Sequence, residues 1–415
     1  MKFAFYFFII AQIINFSSVF AEKVIKDSSE FNSIKWEKIK KNKHKTLKKI
    51  IWKSYKGEEN YFGENVSKKE HMIQCAVSAQ EHMESEKVIL ACLLHDIGHG
   101  PLSHTSEAIF DHNHEKWSQN LVKNYSPINS ILKKYDNDLP RQIAELYESK
   151  QLFSKPLKTL ISSEIDCDRL DYLLRDSYNT GTKYGLVDLE RIISALTFSP
   201  DGNIAIKPKG VIAIEHFLVL RNLMYRTIYN HRINEISTWI LEKIIYTIKH
   251  NIEKKIWLDE SLYKWIFSYS KVDFDDFMRN DDVTFYYHLM RWKEESFEPL
   301  STLCKMFMDR NFLKASDVSF LNKIERLEIL AFAKKLCETN NYDSEIFCGI
   351  KERSFRGFES YNALKIWDGT YQNSLENSSA LIKTLMNTEE SSYIIYPNII
   401  KNEIKNKISN IRNNI

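Results

Sequence analysis

The sequence predicts an all-α fold, on three observations. Glycine and proline, the residues that punctuate turns, number only 11 and 8 in 415 residues, too few for a many-stranded sandwich or barrel. Apolar residues recur at three- and four-residue spacing through long stretches. One short segment alone, LTFSP-DGN-IAIKP near 196–207, reads as a small β-hairpin, with Asp201-Gly202-Asn203 as its turn. Hydrophobic residues make up 43% and charged residues 27%, which supports a packed core and argues against wholesale disorder. The length points to two or three domains. A net charge of +3 makes no case for a nucleic-acid partner. The six cysteines (Cys75, Cys92, Cys167, Cys304, Cys337 and Cys348) form no CxxC pair, which argues against a cysteine zinc site and against a disulfide-stapled miniprotein.

In chain order, residues 1–21 read as an export signal. Met1-Lys2 is a short basic start, Phe3 to Ile14 an apolar run broken by Gln12, and Ser17-Ser18-Val19-Phe20-Ala21 the small residues of a cleavage site. The alternatives are an uncleaved anchor or a buried first helix; no later segment approaches a membrane span. A used signal makes the protein secreted or periplasmic, and an unused one leaves it cytoplasmic. Residues 22–60 are Lys-rich and read as an exposed helix or linker with a solvated charged face. From Val66 to Asp96 the pattern is helical, and EKVILACLLHD is apolar nearly all round, as a buried helix is. Gly98, Gly100 and Pro101 end it. Residues 155–176 form another helical stretch, closed by a loop at Asn179-Thr180-Gly181 and Tyr184-Gly185. Gly210 to about Lys254 reads as one long helix. From about 258 to 378 helices alternate with short polar breaks, and the tail from 399 is rich in Ile, Asn and Lys, a bias that fits an AT-rich genome rather than a function. The divisions are therefore 1–21, 22–60, 61–257 and 258–415, the last a helical C-terminal region.

Seven of the twelve histidines (His71, His82, His95, His99, His104, His112 and His114) fall between residues 71 and 114. Imidazole and carboxylate are the usual ligands of borderline divalent metals. At the centre stands His95-Asp96 in LLHDIGHGPLSH. An adjacent His and Asp at the end of a buried helix can both turn toward one ion as the helix unwinds at Gly98. Three acids in IDCDRLD (Asp166, Asp168 and Asp171) offer further carboxylates. Arg221, Tyr225, Tyr229 and Arg232, spaced four, four and three, lie along one face of the expected helix. Arginine suits bidentate phosphate binding. The plain alternative for that stripe is a helix packing its tyrosine stems with exposed arginines.

Three blocks, KKEH (68–71), LLHDIGHGPLSHTSE (93–107) and EIDCDRLDYLLRDSYNTG (164–181), with RNLMYRTIYNHR (221–232) as a fourth, resemble the HD-domain metal-dependent phosphohydrolases. Within them the chain is most similar to the branch of the SAM-and-HD-domain deoxynucleoside triphosphate triphosphohydrolases. The resemblance covers roughly residues 65–255 and implies an HD helical core. It implies that His71, His95, Asp96 and Asp168 hold one divalent metal, with Mn, Fe, Mg, Co, Ni and Zn not distinguished. Read alone, His71 is as well a surface histidine, and Asp166 or Asp171 could replace Asp168; Asp171 fits local capping or pairing better. The resemblance further implies catalytic roles for His99, His104, Glu107 and His114. Glu107 stands where those enzymes carry an aspartate working with a histidine on the leaving oxygen. Structural, hydrogen-bonded histidines are the alternative for His104 and His114. Arg169 and Arg221 are expected on the polyphosphate, Tyr172 and Asp176 on the sugar, and Tyr229 on the base. Tyr225 is assigned nothing, and His82 and His112 read as ordinary surface residues.

The leading expectation is a nucleotide phosphohydrolase, in the triphosphohydrolase form releasing nucleoside and triphosphate. Its partners are a nucleotide substrate and, in prospect, a second copy in a homo-oligomer. Departures favour alternatives. Lys68 replaces an arginine, and only 24 residues separate His71 from His95, shorter than in those enzymes, which fits a nucleotide monophosphatase or phosphodiesterase. YFGENVSKKEHMIQCA (61–76) looks like the entrance to HD-domain di-iron oxygenases, but the absence of histidine between 115 and 215 argues against a six-ligand di-iron site. A non-hydrolysing nucleotide-binding module has no physical need for all four ligands.

Overall fold

The computed structural model describes residues 90–92, 94–147, 163–200, 203–358 and 364–413. The leader at 1–21, the Lys-rich segment at 22–60, His71 and His82 lie outside them. Helices dominate, as expected, and the chain divides into two compact units. One comprises the residues up to His99, Asn113–Leu220 and Glu359–Ile382; the other comprises Gly100–His112, Arg221–Phe358 and Lys383–Ile415. Among the described residues no helix is long and apolar enough to cross a membrane.

In the first unit three short helices, His114–Asn124, Ser126–Lys133 and Leu139–Tyr147, pack on one another. Leu121, Val122, Ile143 and Ala144 form their core. Asn113 starts the first by accepting the Lys116 N–H at 2.8 Å, satisfying one of the donors a helix start leaves open. The helix Cys167–Thr180 begins at Asp166, whose side chain accepts the Arg169 N–H, and stops at Gly181, in the left-handed conformation at φ 72° that glycine adopts without cost. The hairpin forms where expected: Leu196–Phe198 pairs antiparallel with Ile204–Ile206, Leu196 opposite Ile206. Two further strands extend it to a four-stranded sheet: Lys365–Trp367 parallel to Ile204–Ile206, and Gln372–Ser374 antiparallel beyond.

In the second unit the helix Arg232–His250 buries Ile236, Ile240, Leu241, Ile244, Ile245 and Ile248, at helical spacing, and packs on Glu298–Met308. Trp265, Phe277, Phe285, Trp292 and Phe110 form an aromatic core. The polar breaks from 258 onward are helix starts. Asp259, Asp273, Asp281, Asn322 and Asp343 each cap a helix through the side chain, and Asp273–Asp276 and Asn322–Glu325 form complete capping boxes.

Three local expectations are corrected. The region 258–415 is not helical throughout: Lys314–Asp317, Thr388–Tyr396 and Gly349–Arg356 form an antiparallel sheet with the nine-residue strand in the middle. The tail is an amphipathic helix, Lys401–Asn413, with Ile404, Ile408 and Ile411 against a core that includes Ile329, Ala333 and Cys337, so its isoleucines are structural. The stretch from 210 to 254 is two helices, Val211–Met224 and Arg232–His250, separated by a π turn, Tyr225–Tyr229, closed by the Asn230 N–H on the Tyr225 carbonyl at 2.7 Å. A five-residue turn shifts the phase of the face, so Arg221 is buried, Arg232 is exposed, and the four-residue stripe is broken.

Candidate metal centre

Helical geometry ends at Leu94, and residues 95–98 form turns, held by the His99 N–H on the Asp96 carbonyl at 3.2 Å. His95 Nδ1 lies 2.7 Å from the Cys92 carbonyl oxygen. A carbonyl only accepts, so the proton sits on Nδ1 and the Nε2 lone pair of the neutral ring points the other way. That nitrogen is buried and makes no hydrogen bond of acceptable geometry among the described residues. Asp96 Oδ1 stands 3.2 Å from it and Asp168 Oδ1 3.7 Å. A lone pair facing two carboxylate oxygens is repulsive unless a proton or a cation lies among them. Burial alone holds the His95 imidazole down, but Asp96, Asp168 and the Cys92 carbonyl outweigh it and push the group up to about 10. A divalent ion answers the same electrostatic demand with imidazole and carboxylate ligands of suitable type. The donor atoms of His95, Asp96 and Asp168 lie within 4.8 Å of one another, so the residues fit a metal.

The three acids divide their work. Asp166, 1% exposed, caps the helix Cys167–Thr180 and takes the guanidinium of Arg169; burial pushes it up to about 6 against the pull of that arginine. Asp171 pairs with Arg175 along the helix surface at 2.7 Å. Asp168 is the one turned to His95. Tyr172 and Asp176 follow it at four-residue intervals on the same helix face, both half-buried.

Two further histidines converge on the same carboxylate oxygen. His99 Nε2 is 3.7 Å and His114 Nε2 4.0 Å from Asp96 Oδ1, and their rings stack with centroids 4.0 Å apart. The Gly98 N–H, bonded to Ser118 Oγ at 2.9 Å, ties the turn to the helix that carries His114.

In the second unit His104 opens the helix His104–Phe110 and meets Glu107 one turn on, Nδ1 to Oε2 3.1 Å. Leu102 and Ser103, just before it, have positive φ (61° and 54°), an unusual and costly conformation for residues other than glycine. Asp282, 180 positions away, holds Leu102 there by accepting its N–H at 2.7 Å. Sequence reading missed this residue, because nothing local marks so distant a partner. Arg221 is buried and donates to the Gly357 carbonyl at 2.5 Å. Tyr229 ends the π turn, its ring edge-on to Tyr225 with centroids 5.0 Å apart. His112 is not a surface residue: it is 5% exposed, bonded to the Tyr269 hydroxyl and packed on Trp265 and Phe277.

Comparison with known proteins agrees with this geometry. The HD domain description matches residues 69–176, and the HD associated region matches 187–396. An uncharacterized protein of Mycoplasma genitalium, MG461, is 31% identical over 341 residues, covering 75% of this chain and 78% of its own. YwfO of Bacillus subtilis, also uncharacterized, is 33% identical over 232 residues, 56% of this chain; the chain spans about half of YwfO's length, at 53%. A deoxynucleoside triphosphate triphosphohydrolase SAMHD1 homolog of Dictyostelium discoideum is 28% identical over 166 residues, 37% of this chain and 31% of its own. The crystal structure of a phosphohydrolase from Bacteroides thetaiotaomicron superposes with a TM-score of 0.68 at 23% identity, covering 79% of this chain and 85% of that one, a likeness of fold. With the family descriptions spanning most of the chain and the histidine–aspartate pair at its centre, the protein belongs to the HD-domain family, among the metal-dependent phosphohydrolases.

Proposed function

We propose that the protein hydrolyses nucleotides at this centre, and that its reaction is the triphosphohydrolase one, releasing nucleoside and intact triphosphate from a (deoxy)nucleoside triphosphate. The observation that carries the proposal is the convergence of Asp96 Oδ1 and Asp168 Oδ1 on His95 Nε2, a buried nitrogen with no hydrogen bond among the described residues. By the family resemblance His71, outside the described residues, is the fourth ligand of a single divalent ion. Such an ion, when bound, polarises a phosphoryl oxygen and lowers the pKa of water. The similarity to a protein named as a triphosphohydrolase supports the substrate class.

The chain's own residues then have separate tasks. Water attacks the α-phosphorus, the bond from that phosphorus to the nucleoside oxygen breaks, and a proton must reach the leaving oxygen. His104, held through Nδ1 by Glu107, is that donor through Nε2. His99 and His114, gathered on Asp96, orient the carboxylate and accept the proton of the attacking water. Arg169 and Arg221 are the guanidinium groups for the polyphosphate, a role that the family resemblance gives them and that bidentate geometry suits. The same resemblance assigns Tyr172 and Asp176 to the sugar and Tyr229 to the base.

Product analysis tests the proposal. Protein incubated with Mn²⁺, Mg²⁺ or Fe²⁺ and a panel of nucleoside mono-, di- and triphosphates is expected to yield nucleoside and intact triphosphate. Orthophosphate from monophosphates alone would replace the reading with a phosphatase. Binding with no turnover under any metal would replace it with a nucleotide-binding module.

A further inference from the structure

The helix Asp282–Trp292 is apolar on both faces. Phe285, Leu289 and Trp292 point into the core at 0% exposure. On the opposite side Val283, Tyr286, Tyr287 and Met290, spaced three, one and three, are 61%, 40%, 50% and 57% exposed. Apolar side chains grouped on the outer face of a helix whose inner face is already packed mark an interaction surface, and Tyr and Met are residues that protein interfaces favour. The stripe has opposite charges at its ends, Asp282 at the start and Arg291 at the finish, the latter fixed by stacking on Trp257 at 4.0 Å. Beyond Met290 the surface dips into a shallow hollow lined by Tyr287, Met290, Arg291, Glu294 and Glu295.

We propose that this face closes on the same face of a second copy of the chain, as an antiparallel helix pair about a two-fold axis between Tyr286 and Tyr287. The pattern is self-complementary in that arrangement and not in a parallel one. Val283 of one copy meets Met290 of the other and fills the hollow beside it, the tyrosines pack at the axis, and Asp282 faces Arg291 at both ends. A two-fold interface requires this reciprocity, and opposite charges at the rim fix its register. A parallel pairing would set Asp282 on Asp282 and Arg291 on Arg291.

Sedimentation velocity of the full chain from low to high micromolar concentration tests the proposal. A dimer is expected, and Tyr287→Glu/Met290→Glu should reduce it to monomer with the far-ultraviolet circular dichroism unchanged, because both side chains are exposed. A monomer at every concentration would overturn it, as would a dimer that survives the double charge variant. Cysteine cross-linking then reads the register. Residues 283 and 290 on one helix are about 10 Å apart, too far for a disulfide within a chain. Val283→Cys/Met290→Cys should therefore give a covalent dimer on mild oxidation, while each single variant does not. Equal cross-linking of a single variant would refute the antiparallel register. A monomer whose stripe is protected in hydroxyl-radical footprinting would show that another part of this chain covers it, and the second copy would fall.

Discussion

Gly98→Ala tests how tightly the His-Asp turn is seated. A Cβ at residue 98 would lie 2.1 Å from the His114 carbonyl oxygen, 2.3 Å from the Ser118 nitrogen and 2.7 Å from Ser118 Oγ. Real Cβ atoms essentially never approach within 3.0 Å, so the backbone at His114 must retreat by at least about 0.9 Å. No side-chain rotation relieves a clash with backbone. Overpacking of this kind costs about 1–3 kcal/mol, and the displaced backbone also strains the Gly98 N–H bond to Ser118 Oγ. A total of about 2 kcal/mol or above is expected in urea or thermal unfolding. Gly181→Ala is the control: its φ of 72° strains an alanine, but none of the described residues comes within 4 Å, so about 1 kcal/mol is expected. Because the displaced backbone carries His114, whose Nε2 is 4.0 Å from Asp96 Oδ1, divalent-metal affinity should also fall about tenfold or more. Equal stability of the two variants, or wild-type metal affinity in Gly98→Ala, would refute the reasoning.

Three other outcomes follow. His288, fully buried, donates Nδ1–H to the Thr284 carbonyl and accepts the Asp259 N–H on Nε2; burial, aided by Arg291, holds it below its ordinary value against Thr284 and Asp259. Its unfolded form therefore binds the proton first, and its stabilisation, complete above about pH 6.5, is lost as pH falls through that value; the stability gap between wild type and His288→Gln should be wider at pH 7.5 than at pH 5.5. Asp166→Ala removes a helix cap and the partner of Arg169 and should cost about 2 kcal/mol in chemical denaturation, whereas Asp168→Asn should leave the unfolding midpoint of the metal-free protein unreduced and remove metal-dependent turnover. Ile404→Ala, at a fully buried position of the tail, should cost about 2–4 kcal/mol; a loss under about 0.5 kcal/mol would return the tail to a compositional accident.

Features encoded locally were legible in the sequence. The apolar run ending in His95-Asp96 and broken at Gly98 places the pair at the end of a buried helix, and Asp201-Gly202 marks the hairpin. The three acids of IDCDRLD were not separable by spacing alone: a cap, a ligand and a surface partner differ only in where the helix begins, and the resemblance favoured Asp168. What could not be read is non-local. The strands Gly349–Arg356 and Thr388–Tyr396 are defined by pairing with each other across more than thirty residues, and the parallel pairing of Ala205 with Lys365 has no signal at either end. His112 looks polar until Trp265 and Phe277 enclose it. The π turn at Tyr225–Tyr229 changes the helical phase by one residue, too little to show in the apolar pattern.

The proposed single divalent ion, held by His95, Asp96 and Asp168 with His71, can be checked by counting metal. Full-length protein equilibrated with Mn²⁺ and dialysed should retain one ion per chain by plasma mass spectrometry. Asp168→Asn and His95→Gln should retain almost none, and Asp171→Asn, at the residue paired with Arg175, should retain the wild-type amount. Full retention by Asp168→Asn, or two tightly held ions in the wild type, would contradict the account.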